Sequence, residues 1–483
     1  MSNKNTEKQF VKDIADIEAD FAQWYTDVVK KADLCDYGPV KGTMIIKPYG
    51  YAIWENIQKE LDRRFKATGH VNAYFPMFFP LSYLQREAEH VEGFAPEVAL
   101  VTHVGDTPLG EKLVVRPTSE TIICEMYSKW IKSYRDLPVL INQWANVVRW
   151  EKTTRPFLRT TEFLWQEGHT AHATKQEAEE ETLKMLGVYE EFARQIMAIP
   201  VLVGKKSPKE KFAGAVDTYS MEAIMLDGKC LQAGTTHYLG TNFAEAFDIK
   251  YLDKENKQTL VHQTSWGVST RLIGALIMAH GDNRGLALPP AIAPIQVVII
   301  PVASHKPGVL DTCQEIFNTL TNDTNLRVHI DTSDKSNGFK YNEYELKGVP
   351  IMIAIGPNDI AENQASIKRR DQLDSKFSAP LDNILQYVID MLEDIQKNML
   401  NKAETFVESR KKSATNMNEL EQVLIENNFA LSPWCGDQKC EEEIKQKYQA
   451  TTRNMPFEQN ITHKQCVCCG AETKYNVYIA KAY

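Results

Sequence analysis

Apolar residues recur every three to four positions at the start of the chain. Phe10, Ile14, Ile17 and Phe21 share one face, Trp24 extends it, and this spacing predicts an opening helix. A second helical period covers 51–65. The run from Val71 through Pro76 to Pro80 reads as β, and strands alternating with charged helices continue to about residue 288. Residues 288–294 are dense in proline and keep no period, which predicts a linker. Beyond it, 295–300 has the pattern of a buried strand. Helix is predicted at 308–321, strand at 326–331 and 349–355, and helix at 384–400, the alternation of a small α/β domain. A charged helical segment fills 402–428, and the chain ends in a cysteine-rich tail. There is no internal repeat and no low-complexity tract.

Composition narrows the classes. A chain of 483 residues holds about three domains. With 43% hydrophobic and 25% charged residues it is expected to be an ordinary soluble protein. A net charge of −9 excludes a generally basic nucleic-acid binder, so any RNA contact must come from a local basic face. Residues 1–21 contain no apolar core of a secretory signal. The most apolar stretch, 287–303, is cut by Pro289, Pro290, Pro294 and Pro301, which rules out a membrane-spanning helix there. A cytoplasmic protein with reduced cysteines is expected. Of its nine cysteines, Cys35, Cys124, Cys230 and Cys313 are scattered and read as small buried hydrophobes. The other five fall between 435 and 469, and such clustering points to a metal.

Two segments carry chemistry. In the first, a strand over 146–151 places Arg149 and Glu151 on one face, because side chains alternate with period two. Residues 152–156 make a polar turn, and 159–166 return as a second strand. Arg149 can fork onto a phosphate, Glu151 can accept from an adenine amino group, Phe163 can stack on the base, and Arg159 can reach outer phosphates. An exposed hairpin with a cross-strand ion pair fits the same residues. In the second, Cys435 and Cys440 are followed by Cys466, Cys468 and Cys469. Two such pairs suit a tetrahedral zinc site of four thiolates. Cys469 is the preferred fourth ligand, because Cys466 to Cys469 followed by Gly470 is a common knuckle. A closed set of four cysteines is structural. Free thiols in a small core are the alternative.

The 146–169 stretch resembles motif 2 of the class II aminoacyl-tRNA synthetases, and nearly the whole chain is similar to the prolyl-tRNA synthetases that carry a C-terminal zinc module and no editing insertion. The resemblance implies that Arg149 binds the α-phosphate of ATP, that Glu151 and Phe163 hold adenine, and that Arg159 and Thr160 complete the nucleotide site. The helix 51–65, Gly69-His70 and the strand ending at Pro80 resemble motif 1, which implies dimerisation. Gly267-Val-Ser269-Thr-Arg271 entering a helix resembles motif 3, with Arg271 facing the β- and γ-phosphates and Ser269 beside both substrates. Thr118 and Glu120 resemble the acceptors of the proline amino group. Trp165, Glu167 and His169 resemble the pocket floor, Phe212 its aromatic wall, Gln232 and Thr235 further ATP contacts, and His237 a further proline contact. Any one of these taken alone reads as a core aromatic or a satisfied polar group; their joint order favours the site. Residues 292–400 resemble an anticodon-binding domain, with Lys340, Glu345, Lys347, Arg369 and Arg370 as implied tRNA contacts. The final residues to Tyr483 resemble a tail that reaches back toward the active site.

The resemblance therefore implies an α+β class II catalytic domain over 1–290, an antiparallel sheet flanked by helices. It implies an α/β anticodon-binding domain over 291–400 and a small α/β zinc-binding domain over 401–483. ATP, Mg²⁺, L-proline, tRNA(Pro), a structural Zn²⁺ held by Cys435, Cys440, Cys466 and Cys469, and a homodimer are the implied ligands and partners. The segment from Glu167 to Gly267 is too short for a large editing insert plus the strands the fold needs. A threonine-specific relative is disfavoured by the lack of a catalytic-domain zinc triad. A synthetase-like binding module is disfavoured by the presence of both Arg149 and Arg271, and a zinc enzyme by the closed four-cysteine set.

Overall fold

The computed structural model describes residues 14–90, 97–322 and 324–483. The first described helix is Phe21–Lys31, not a helix through Ile14 and Ile17. Asp20 caps it: its side chain accepts from the Gln23 amide at 3.0 Å, which fixes the start where a carboxylate meets free amides. Ile14 and Ile17 precede it in a bend and a turn and still pack on the core. Phe10 lies outside the described residues. The second helix, Pro48–Ala67, begins at a proline, whose missing N–H costs nothing in the first turn. Ile53, Trp54, Ile57, Leu61 and Phe65 give it one buried stripe.

That stripe packs beneath a seven-stranded sheet. Its order is Val71–Asn72, Val139–Val148, Glu162–His172, His262–Ser269, Cys230–Gly240, Asp217–Ile224 and Val201–Lys205. Only the first pairing is parallel. One face carries Trp266, Val268, Met221 and Ala233 into the main core, against Met185, Tyr189 and Phe192 of helix Lys175–Gln195. The approach is close: a Cβ at Gly168 would sit 2.1 Å from the Trp266 ring, so only glycine fits opposite that indole. The other face is left for the site.

The run 71–80, expected as a single β segment, is divided. Val71–Asn72 joins the large sheet, while Phe78–Pro80 joins a separate sheet with Thr107–Val115 and Leu100–Val104. Pro76, which has no N–H to give to a ladder, stands between them. Buried Arg116 ties the two parts together, donating to the carbonyls of Phe75 at 2.7 Å and Asn146 at 2.8 Å.

The stretch expected as a linker is packed. Leu288, Ile292 and Ala293 are buried in the main core, and the Leu286 and Leu288 amides bond the carbonyls of Leu346 and Gly348. The second domain follows as a five-stranded sheet ordered Val328–Ile330, Val297–Pro301, Ile351–Ile355, Gln364–Arg369 and Phe377–Pro380. The first three strands are parallel and the last two antiparallel. Helix Ile384–Arg410 runs on past residue 400, so the expected break between two helical segments is absent. The third domain is a four-stranded sheet of Lys411–Ser413, Phe429–Trp434, Tyr475–Lys481 and Ala450–Thr452, with helices Met417–Ile425 and Gln438–Tyr448.

Candidate active site

Strand register builds the site. Trp165, Glu167 and His169 alternate along one strand, so all three project from the open face. Ser269, Gly267 and Ser265 stand directly opposite them. Thr235 pairs with Gly267, His237 with Ser265, and Thr218 with His237. Four antiparallel strands thus bring distant segments of the chain into adjacent rows around a cavity of about 240 Å³.

Glu167 sits at the floor. Its carboxylate accepts from the Ser119 hydroxyl, the Ser119 amide at 3.2 Å, the Gln143 amide nitrogen at 2.9 Å and His169 Nε2 at 2.8 Å. Burial alone would raise its pKa, but His169 and the two hydrogen-bonded neighbours outweigh it and hold the carboxyl below the ordinary range. His169 moves the opposite way: burial opposes its charge, and Glu167 more than restores it, so its pKa is raised. Above the floor, Thr118 donates its hydroxyl to Glu120. That pair offers buried oxygen acceptors to a cationic group.

The wall opposite is made by Phe212 stacked on His237, with centroids 4.6 Å apart and planes at 29°. His237 Nδ1 lies 3.0 Å from the Thr218 hydroxyl and Nε2 lies 3.1 Å from that of Thr235. Burial, then the charges of His169 and Arg149, push the His237 pKa down to about 3. The ring is therefore neutral at ordinary pH, a flat hydrogen-bonding wall beside a charged floor.

Arginines line the other end. Arg149 Nε donates to the Pro117 carbonyl at 2.9 Å, and its guanidinium carbon lies 5.5 Å from the Phe163 ring centre and 5.2 Å from that of Trp165. Arg271 opens helix Arg271–His280 and donates to the carbonyls of Leu158 at 3.0 Å and Gln232 at 3.3 Å. Burial, with repulsion from Arg159 and Arg149, lowers its pKa to about 10, which still leaves it charged. Cations held close together in a cleft create a positive potential that favours an anion.

Three models of protein families match the chain. Residues 103–280 match the tRNA synthetase class II core domain (G, H, P, S and T), 296–391 an anticodon binding domain, and 417–483 the prolyl-tRNA synthetase C-terminal domain. A proline--tRNA ligase of Alkaliphilus oremlandii is 59% identical over 100% of both chains. The chain belongs to the proline--tRNA ligase family. A proline--tRNA ligase of Ruminiclostridium cellulolyticum is 57% identical over 99% of each chain, and proline--tRNA ligase 2 of Bacillus cereus is 55% identical over 99% of this chain and 100% of its own.

Within that family frame, the cavity gathers Thr118, Glu120, Arg149, Phe163, Trp165, Glu167, His169, Phe212, Gln232, Thr235, His237, Ser269 and Arg271, each singled out from the sequence. Glu151, Arg159 and Thr160 stand outside its lining. Arg159 and Glu151 instead form a half-exposed ion pair at 3.7 Å, and the Thr160 hydroxyl donates to the Glu162 carbonyl at 2.8 Å. Lys206, Glu210, Thr218 and Ser265 line the cavity and were missed. Thr218 and Ser265 were legible in principle, since they flank His237 once the strands are aligned. Lys206 and Glu210 sit in a loop, where no periodicity marks them.

The second domain turns most of its implied tRNA contacts inward. Lys340 is buried and donates to the Asp331 carbonyl at 2.8 Å. Buried Arg369 forks onto Asp371 at 2.9 and 3.0 Å. Arg370 is 2% exposed and clamps Asp282 of the first domain at 2.6 and 2.8 Å. Glu345 is buried against Lys368, and Lys347 reaches Glu343 at 2.9 Å.

In the third domain, the sulfurs of Cys435, Cys440, Cys466 and Cys469 lie within 4.8 Å of one another, a convergence compatible with one tetrahedral ion. Cys468 turns aside, with Sγ 3.4 Å from Glu443. The tail packs on the first domain: the Tyr483 hydroxyl donates to Asp227 at 2.7 Å and its amide to the Cys230 carbonyl at 3.2 Å. Among the described residues, no helix is long and apolar enough to cross a membrane.

Proposed function

We propose that this chain activates L-proline with ATP and transfers it to the 3′-terminal adenosine of tRNA(Pro). The observation that carries the reading is one cavity with two chemically distinct ends. One holds Arg149 and Arg271; the other holds buried Thr118, Glu120, Glu167 and His169 beside a flat aromatic wall.

The secondary ammonium of proline has two protons, and Thr118 and Glu120 supply oxygen acceptors for them. The pyrrolidine ring lies against Phe212, His237 and Trp165, a match of flat apolar surfaces. Phe163 stacks on adenine, and Gln232, Thr235, Ser269 and Thr160 hold the rest of the nucleotide. In the first step a proline carboxylate oxygen attacks the α-phosphorus and pyrophosphate leaves. Arg149 takes up charge on the α-phosphate and Arg271 on the departing phosphates, so the work is positioning and electrostatic stabilisation. Mg²⁺ arrives with ATP as its counter-ion. Glu151 and Arg159, paired with one another in the free protein, separate to meet adenine and phosphate. In the second step the ribose hydroxyl of the tRNA end attacks the prolyl carbonyl and AMP leaves.

Cys435, Cys440, Cys466 and Cys469 hold a structural Zn²⁺. The anticodon stem docks on the second domain, with Lys347 nearest the surface and Lys340, Glu345, Arg369 and Arg370 shaping the face beneath. A homodimer forms through the open sheet edge, where Val71, Tyr74 and Phe78 are exposed. Catalysis takes place in the cytoplasm, in three units of 1–290, 291–400 and 401–483.

The deciding experiment is pyrophosphate exchange into ATP with each of the twenty amino acids and no tRNA. Exchange with proline alone is expected. Exchange with another amino acid, or with none from folded protein, defeats the assignment.

A further inference from the structure

The pocket loop 206–216 is held from outside the catalytic domain. It carries Lys206, Glu210 and Phe212 to the cavity wall, and it leaves strand Val201–Lys205, the last strand of the seven-stranded sheet. An edge strand exposes unpaired amides and carbonyls. Here residues 453–455 of the C-terminal domain cover that edge. The Lys205 amide donates to the Met455 carbonyl at 2.8 Å, and the Met455 amide returns a bond to Lys205 at 2.7 Å. The approach leaves no room for a side chain, since a Cβ on Gly204 would lie 2.2 Å from the Met455 carbonyl oxygen. Asn454 donates to the carbonyls of Leu202 at 2.9 Å and Ser220 at 3.2 Å, bridging the last two strands.

A buried ionic link runs alongside. Arg453 reaches Glu222 Oε2 through Nη2 at 2.8 Å and Nε at 3.2 Å. The other oxygen of fully buried Glu222 stands 3.0 Å from the Lys206 ammonium, which opens the loop. Farther along, Lys209 pairs with Glu442 at 3.1 Å. Glu442 belongs to helix Gln438–Tyr448, which also carries Cys440 of the cysteine cluster. Backbone, buried charge and rim charge thus connect one loop to one module.

We propose that Arg453, Asn454 and Met455 are positioning residues for the amino-acid pocket: the cysteine-rich module sets the edge strand and, through Glu222 and Lys206, the loop that presents Phe212. The inference rests on the reading of the cavity as a proline site. It weights the module's role toward the amino acid, because the loop carries Phe212 while Arg149, Phe163 and Arg271 stand on other elements; Gln232, which pairs with Glu222, is on that reading a nucleotide contact beside the link.

The test is exchange kinetics on the full-length chain. Arg453→Met is expected to raise KM for proline about tenfold, with KM for ATP and kcat within about twofold, and Arg453→Lys to recover most of the loss. Glu442→Gln, on the surface, should raise the proline KM by about two- to threefold without unfolding risk. Tryptic cleavage after exposed Lys211 should quicken in Arg453→Met and slow again with proline and ATP. Unchanged proline KM and cleavage in soluble variants overturn the proposal. So does a parallel fall of all constants with a lowered Tm. Exchange by the wild-type chain with a different amino acid would defeat the substrate reading instead, and the KM split for that amino acid would still decide the positioning role.

Discussion

Glu167 and His169 stand two residues apart on one strand and meet through Oε2 and Nε2 at 2.8 Å, both almost fully buried. A buried pair of this kind is a commitment: breaking it strands a charge, so the surrounding structure holds both groups ionised. The direction of each shift follows. The Glu167 pKa is lowered from 4.5, so its contribution to stability is complete above that pH and is lost as pH falls through the lowered value. The His169 pKa is raised from 6.5, so its contribution is complete below that pH and fades as pH rises through the raised value. Stability from the pair is therefore greatest between pH 4.5 and 6.5. Calorimetric Tm should decline on the alkaline side, and His169→Gln should flatten that limb. Parallel curves for the two proteins would show that the pair does not titrate as described.

Arg149 is anchored to Pro117 and stacked near Phe163 and Trp165, so its guanidinium is fixed before substrate arrives. Arg149→Ala should reduce kcat/KM for exchange by about 10²–10³-fold, the scale of losing a preorganised donor to developing charge. Arg149→Lys should recover little, since a single ammonium cannot both bond Pro117 and fork onto phosphate. A loss below about tenfold for Arg149→Ala would remove it from the transition-state account.

The cysteine geometry predicts a sharp contrast between neighbours. Cys468→Ser should keep one zinc per chain, because Cys468 faces Glu443 and not the cluster. Cys469→Ser should lose the metal and lower Tm, because structural zinc supplies folding energy outright. Elemental analysis of purified variants decides it; equal zinc content in both would contradict the ligand set.

Arg370 and Asp282 clamp the second domain onto the first. Asp282→Asn leaves the buried guanidinium without its counter-charge. Asp282 is itself 44% exposed, so the cost should be about 1–3 kcal/mol, below the roughly 3–5 kcal/mol of a fully enclosed pair. Urea melts measure it. In kinetics, Arg370→Ala should raise KM for tRNA in charging while leaving tRNA-independent exchange nearly intact. An equal fall in both would place its effect in the catalytic domain.

Much of the site could be read from the chain. The resemblance marked Trp165, Glu167 and His169, which the period of the observed strand sets on one face, and the cysteine spacing marked the four sulfurs that converge. These are local facts: period two and short spacing follow from backbone geometry whatever lies around them. The opening helix was misplaced because apolar spacing through Ile14 and Ile17 persists beyond the point where Asp20 caps it. The supposed linker at 288–294 proved to be core, since proline breaks periodicity without forbidding burial.

Tertiary structure alone decided which charges face inward. Lys340, Arg369 and Arg370 are implied tRNA contacts, yet each is buried against carboxylates, Lys340 against Asp331, Arg369 against Asp394 of helix Ile384–Arg410 as well as adjacent Asp371, and Arg370 against Asp282. No local pattern encodes such a partner. The same holds for Arg453, more than 200 residues from Glu222 and in contact with it. The sequence by itself determined the family and most of the chemical groups of the cavity. Burial and long-range pairing, which depend on how distant segments pack, decided which of those groups remain free to meet a substrate and which are spent on holding the domains together.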